Sequence, residues 1–158
     1  LFYNAFASGT GDFVQLFEPT ASIFEKQGKG YIVASFGKES GHVPYTSFMA
    51  RQSYISKNKA TIEKFTAAIY KAQQWVQTHN SEEIANAVKS YFPDTDFEIM
   101  KTVIDRYKSQ GSYATNPILD ADEWNNLQNI MKEAGSLPKQ VDYKTLVNTA
   151  IAEKIIKK

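Results

Sequence analysis

Two carboxylates, Asp12 and Glu18, flank the turn Gly9-Thr10-Gly11-Asp12, and together with it they are the clearest candidates in this chain for binding chemistry. Glycine admits positive φ and lets a ligand come close to the backbone. An amphipathic segment carrying Phe13, Val14, Phe17, Ile23 and Phe24 follows, so the spacing predicts a helix beginning just after the turn. Its first N–H groups, around Thr10 and Gly11, would then point outward and favour an anionic head. The carboxylates favour a cation or a hydrogen-bond donor instead. A small molecule carrying both an anionic or polar group and an amine meets these demands better than a bare inorganic anion. Each carboxylate also has a plainer reading: Asp12 as a helix cap, Glu18 as a solvated residue beside the helix-starting Pro19.

Other constellations are thin. The turn lacks the third glycine of a dinucleotide fingerprint and the Lys-Ser/Thr ending of a phosphate loop. His42 and His79 stand alone, which fits surface or loop residues better than ligands. Glu82-Glu83, Asp94 with Asp96, and Asp120 with Asp122 fall at expected helix starts, where negative charge stabilises exposed N–H groups. No cysteine is present, which removes disulfides and thiolate metal sites, and no cofactor is implied. A net charge of +1 with interspersed signs leaves no electrostatic footprint for nucleic acid.

The elements that must position these residues fall into two regimes. Residues 1–50 read as strand-rich, with strands expected at residues 2–7, 30–36 and 44–51. From Lys59 onward apolar residues recur at helical spacing: Ile62, Phe65, Ile69, Ala72 and Val76, then Ile84, Ala85, Val88 and Tyr91. Further stripes run through Ile99, Val103 and Tyr107, through Trp124, Leu127, Ile130 and Met131, and through Leu146, Val147, Ala150, Ile151 and Ile155. Caps are expected at Asn80, Thr95 and Asp120, each followed three residues later by Glu, and stops at Pro93 and Gly135.

The Gly9 turn, the Phe17-Glu18-Pro19-Thr20-Ala21-Ser22 element, the run from Tyr31 to Phe36, Val43-Pro44-Tyr45-Thr46, and Tyr54-Ile55-Ser56-Lys57-Asn58 entering a long helix together resemble the solute-binding proteins of ABC importers for nitrate, sulfonates, taurine and thiamine-pyrimidine precursors, relatives of thiamine pyrimidine synthase. Order and spacing carry the likeness, which covers nearly the whole chain. It implies an α/β, periplasmic-binding-protein type II-like fold, present in part: residues 1–50 as the strand-rich portion of the second lobe, residues 51–158 as a helical portion returning toward the first. It implies no enzymatic activity, a small polar organic solute, a membrane permease as partner, and a periplasmic or membrane-anchored place outside the cytoplasmic membrane. Tyr45, following Pro44 where such a chain turns back to the hinge, and Thr46 join Thr10, Gly11, Asp12 and Glu18 as expected solute contacts.

The chain begins Leu1-Phe2-Tyr3 within a strand-like run and lacks an initiator Met, so a fragment is expected. An uncovered strand edge or lobe face would then lead to dimerisation or strand exchange. The rival is a thiamine-pyrimidine-synthase-like enzyme. Those synthases carry a cysteine cluster where this chain reads Gly41-His42-Val43-Pro44-Tyr45-Thr46, and the missing cysteines argue against it. A purely helical interaction module would leave the first fifty residues unexplained.

Overall fold

The computed structural model describes residues 2–157, and every regular element among them is helical. This corrects the strand expectations. Residues 2–7 are a helix, α1 (Phe2–Ala7), while residues 30–35 and 44–50 run without ladder partners. A strand needs a neighbour to take its N–H and C=O groups. Strand-like composition without such a neighbour leaves irregular chain. In α1, Tyr3 and Phe6 are three residues apart and so share a face. Tyr3 meets Phe24 edge-on at 6.0 Å, and Phe6 lies so close over Gly30 that a Cβ there would sit 3.1 Å from its ring.

The chain forms two compact units that interleave along the sequence. One contains residues up to 35 together with His79–Ser112, and the other contains Phe36–Thr78 with the chain from Tyr113 onward.

In the first unit, α2 (Thr20–Lys26), α3 (Ser81–Val88) and α4 (Phe97–Ser109) bring together Phe24, Ile84, Ala85, Ile99, Met100 and Ile104, all buried. A 3-10 turn, Lys89–Tyr91, follows α3, and there Tyr91 is exposed rather than continuing the apolar stripe. Asn80 caps α3 as expected: its side chain accepts from the Glu83 N–H while the Glu83 carboxylate accepts from the Asn80 N–H, both at 2.9 Å. The α4 cap falls one residue beyond the expected Thr95. Asp96 accepts the Ile99 N–H at 3.0 Å and also an ion pair from Lys26 at 3.2 Å.

The second unit holds the short helices α5 (Phe36–Glu39) and α6 (Gln52–Lys57), the long α7 (Lys59–Thr78), and α8 (Ala121–Glu133), α9 (Tyr143–Leu146) and α10 (Ala150–Ile156). The expected last helix is thus split. Val147 adopts an extended conformation and the Asn148 side chain accepts the Ala150 N–H, a local bond that competes with helix continuation. Among the described residues of this unit, Ala152 and Gln128 are the buried ones, and side-chain hydrogen bonds tie its elements together. On α7, Gln73 donates to the Asn116 carbonyl at 3.0 Å and Gln74 to the Thr115 carbonyl at 2.8 Å. On α8, Gln128 exchanges two bonds with the backbone of Val141, and the Trp124 indole donates to the same carbonyl at 3.1 Å. The α8 helix ends at Gly135 as expected, with φ +70° and the Ser136 N–H reaching back to the Met131 carbonyl.

Candidate functional site

The glycine turn closes a helix instead of opening one. Gly9, at φ +88°, terminates α1: its N–H bonds the Phe6 carbonyl and the Thr10 N–H bonds the Ala5 carbonyl, both at 2.9 Å. The Thr10 amide is therefore already used. No helix follows the turn directly, because the next one starts at Thr20. The anticipated ring of outward N–H groups is corrected accordingly: a helix terminus after Gly11 is not there to supply it. Thr10, Gly11 and Asp12 lie together on an exposed loop.

Glu18 occupies a different environment. Its side chain is only 8% exposed and forms an ion pair with the Nη1 of Arg106, whose side chain is 26% exposed. The same carboxylate takes the Ser22 N–H and the Ser22 hydroxyl, each at 3.0 Å. Glu18 thereby serves as the cap of α2, a task its formal cap residue Pro19 cannot perform; the bond between the two residues is cis. Arg106 completes the cluster by donating to the Ser22 hydroxyl at 2.9 Å and, through Nη2, to Glu25 at 3.0 Å. One guanidinium thus joins α2 to the last turn of α4, in the forked geometry that suits paired carboxylates.

Arg106 is the residue that sequence reading passed over. It falls in register with Ile99 and Val103, so a basic residue lying on an apolar stripe was the available signal. A guanidinium in that register needs an acidic partner from another element.

Tyr45 and Thr46 belong to the second unit and are exposed, Tyr45 by 79%. His42 and Ser40, just before them, are held by the Asn126 amide, which donates to both backbone carbonyls at 3.0 Å. This ties the Tyr45 segment to α8. No group of three or more metal-ligating side chains occurs among the described residues, and no helix among them is long and apolar enough to cross a membrane.

Comparison with known proteins gives the family. The chain belongs to the NMT1-like family, whose family model matches residues 2–91, in keeping with the resemblance drawn from the sequence. Over 152 residues it is 60% identical to "Putative binding protein YtlA" of Bacillus subtilis (strain 168), a match taking in 96% of this chain and 46% of that protein. The chain therefore spans about half the length of the curated relative it matches. No solved structure matches it.

Proposed function

We propose that this chain is part of the extracytoplasmic solute-binding component of an ABC importer, taking a small polar organic solute of the sulfonate, taurine-like or pyrimidine type. The observation that carries this reading is the 60% identity, along nearly the whole chain, to a protein named for binding. In this reading the complete protein has the two α/β lobes of the periplasmic-binding-protein type, residues 1–50 contributing to the second. It holds its solute without making or breaking bonds and hands it to a membrane permease. It works as a periplasmic or membrane-anchored protein. The isolated chain is expected to dimerise or exchange strands, since Phe2, Phe13 and Tyr31 stand exposed.

Thr10, Gly11 and Asp12 are the proposed solute contacts of the first unit, and Tyr45 and Thr46 those of the second. Tyr45 offers an exposed ring and Asp12 a carboxylate for a solute amine. Glu18 contributes to this reading chiefly by fixing the start of α2, because Arg106 and Ser22 already occupy its carboxylate. The biosynthetic alternative, a thiamine-pyrimidine-synthase-like enzyme, is disfavoured by the absence of cysteine from the sequence.

The test is calorimetric titration of the full-length gene product with taurine, an alkylsulfonate, nitrate and an amino-pyrimidine. Saturable binding of one organic member without turnover supports the proposal. Chemical conversion of any of them in the absence of a permease overturns it.

A further inference from the structure

A groove in the second unit is lined by none of the residues proposed to meet the solute. It encloses about 600 Å³ and runs along α7 from Ala60 to Gln74, with Lys154 and Ile155 of α10 at its side. At about 1.5 Å of rise per residue its length is roughly 20 Å, the span of a short helix rather than of a small solute. At about 3.6 residues per turn, Ala60, Lys64, Ala67 and Lys71 share one face of α7, and the stripe Ile62, Phe65, Ile69 and Val76 lies on the opposite one. Chain that came to cover the exposed Phe65 and its ring partner Phe48 would therefore pack on the far side of the helix. The groove is also one-sided in charge. Glu63, the carboxylate in its lining, is already paired with Lys154 at 2.8 Å. Among the described residues neither Lys64 nor Lys71 has an ion-pair partner, and both are exposed.

We propose that this groove receives an acidic amphipathic helix of a partner protein. Ala60 and Ala67, both exposed, keep the floor low enough for a helix to come close, and each is followed one turn on by a lysine. A helix laid along α7 thus buries its apolar stripe on the alanines, Tyr70 and Ile155, the mode of recognition in which a groove reads one face of a helix. Carboxylates two turns apart on that helix match the spacing of Lys64 and Lys71. Such complementarity fixes the register and suppresses partners of the wrong sign. The concavity argues against a membrane as the occupant: a flat anionic surface reaches the lysine tips and leaves the alanine floor wet, whereas a rod fills it. This inference does not depend on whether the protein binds a solute.

The experiment is a fluorescence-anisotropy titration of the full-length gene product into a labelled helical peptide of about five turns, with Leu and Ala on one face and Glu along both flanks. A second peptide carries Lys in place of every Glu. The expected result is saturable binding of the acidic peptide, weakened by salt, and none of the basic one. The double variant Lys64→Glu, Lys71→Glu is expected to bind the acidic peptide at least about tenfold more weakly, and Lys64→Gln, Lys71→Gln to fall between it and the wild type. No saturable binding, or binding undiminished by the charge reversal, overturns the inference. Sedimentation with phosphatidylglycerol vesicles that requires the two lysines, without binding of the peptide, overturns it in favour of an anionic lipid surface. A concentration-dependent dimer that the reversal abolishes, again without peptide binding, overturns it in favour of a second copy. Circular dichroism checks the fold of each variant, and if the reversed one does not fold the glutamine pair decides.

Discussion

Arg106 and Glu18 are paired across 88 residues of sequence, and that pair locks α2 onto the end of α4. Three bonds to Ser22 draw the buried hydroxyl and the first turn of α2 into the same cluster. Glu18, singled out in the sequence as a carboxylate held beside a proline, here joins two helices.

Replacing Arg106 by Met is therefore expected to destabilise the protein by about 2 kcal/mol or more, since it leaves Glu18 with a buried charge and only the Ser22 donors. Glu18→Gln keeps the shape and the α2 cap but weakens the pairing, and should cost less. Urea denaturation of the two variants measures this, and equal stability of Arg106→Met and wild type would count against the role assigned to the pair.

Asn80→Ala removes one half of the reciprocal cap on α3. The expected loss is about 1 kcal/mol, with the Glu83 amide left to water. Thermal unfolding followed by circular dichroism reads it, and Asn80→Ser, which keeps an accepting oxygen, should recover most of the loss.

Asp96 gives the fold a dependence on acid. The Ile99 N–H and then the Lys26 ammonium hold its carboxyl below the ordinary value of 3.8. A depressed folded pKa means that the stabilisation is fully present above the unfolded value and is lost as pH falls through the lower folded one. Below about pH 4 the Asp96→Asn variant should thus approach the wild type in stability, while at pH 7 it should lie below it. A constant gap at both pH values would show that the charge has no part.

Tyr143 works in the opposite direction. Its hydroxyl donates to the Leu119 carbonyl at 2.5 Å, and burial, followed by the charges of Asp120 and Glu153, raises its pKa above 10.0. Stability from this group is complete below pH 10 and is lost as pH rises toward the higher folded value. Tyr143→Phe is expected to cost about 1 kcal/mol at pH 7 and progressively less above pH 10. Spectrophotometric titration at the tyrosinate band, compared between the two proteins, checks the sign.

Gln128→Leu keeps the volume of α8 but leaves both the N–H and the carbonyl of Val141 without their glutamine partners. The carbonyl keeps the Trp124 indole while the N–H is stranded, so a loss of roughly 1–3 kcal/mol is expected. Faster exchange of the Val141 amide, with the α8 amides unchanged, is the accompanying signature.

The helices from residue 59 onward could be read from the sequence because their cause is local. An apolar stripe at 3.6-residue spacing, a reciprocal Asn80–Glu83 cap and a glycine stop at Gly135 each act within a few residues. The boundary errors have equally local causes. Asp96 outcompeted Thr95 for the cap, and Asn148 broke the last helix with its own side chain.

What could not be read in this way was every feature settled between distant residues. Whether Tyr31, Ile32 and Val33 make a strand depends on a neighbouring strand, and no sequence window contains its own neighbour. Whether residues 2–7 coil depends on Phe24 and Gly30 being where Tyr3 and Phe6 can reach them. Whether Glu18 faces a solute or a guanidinium depends on Arg106, which only folding brings to it. The sequence by itself determined the helical elements, the absence of thiol chemistry and the family. Tertiary structure decided which partner each carboxylate takes, Arg106 and Ser22 for Glu18 and Lys26 for Asp96, because a charge takes whatever partner the fold presents.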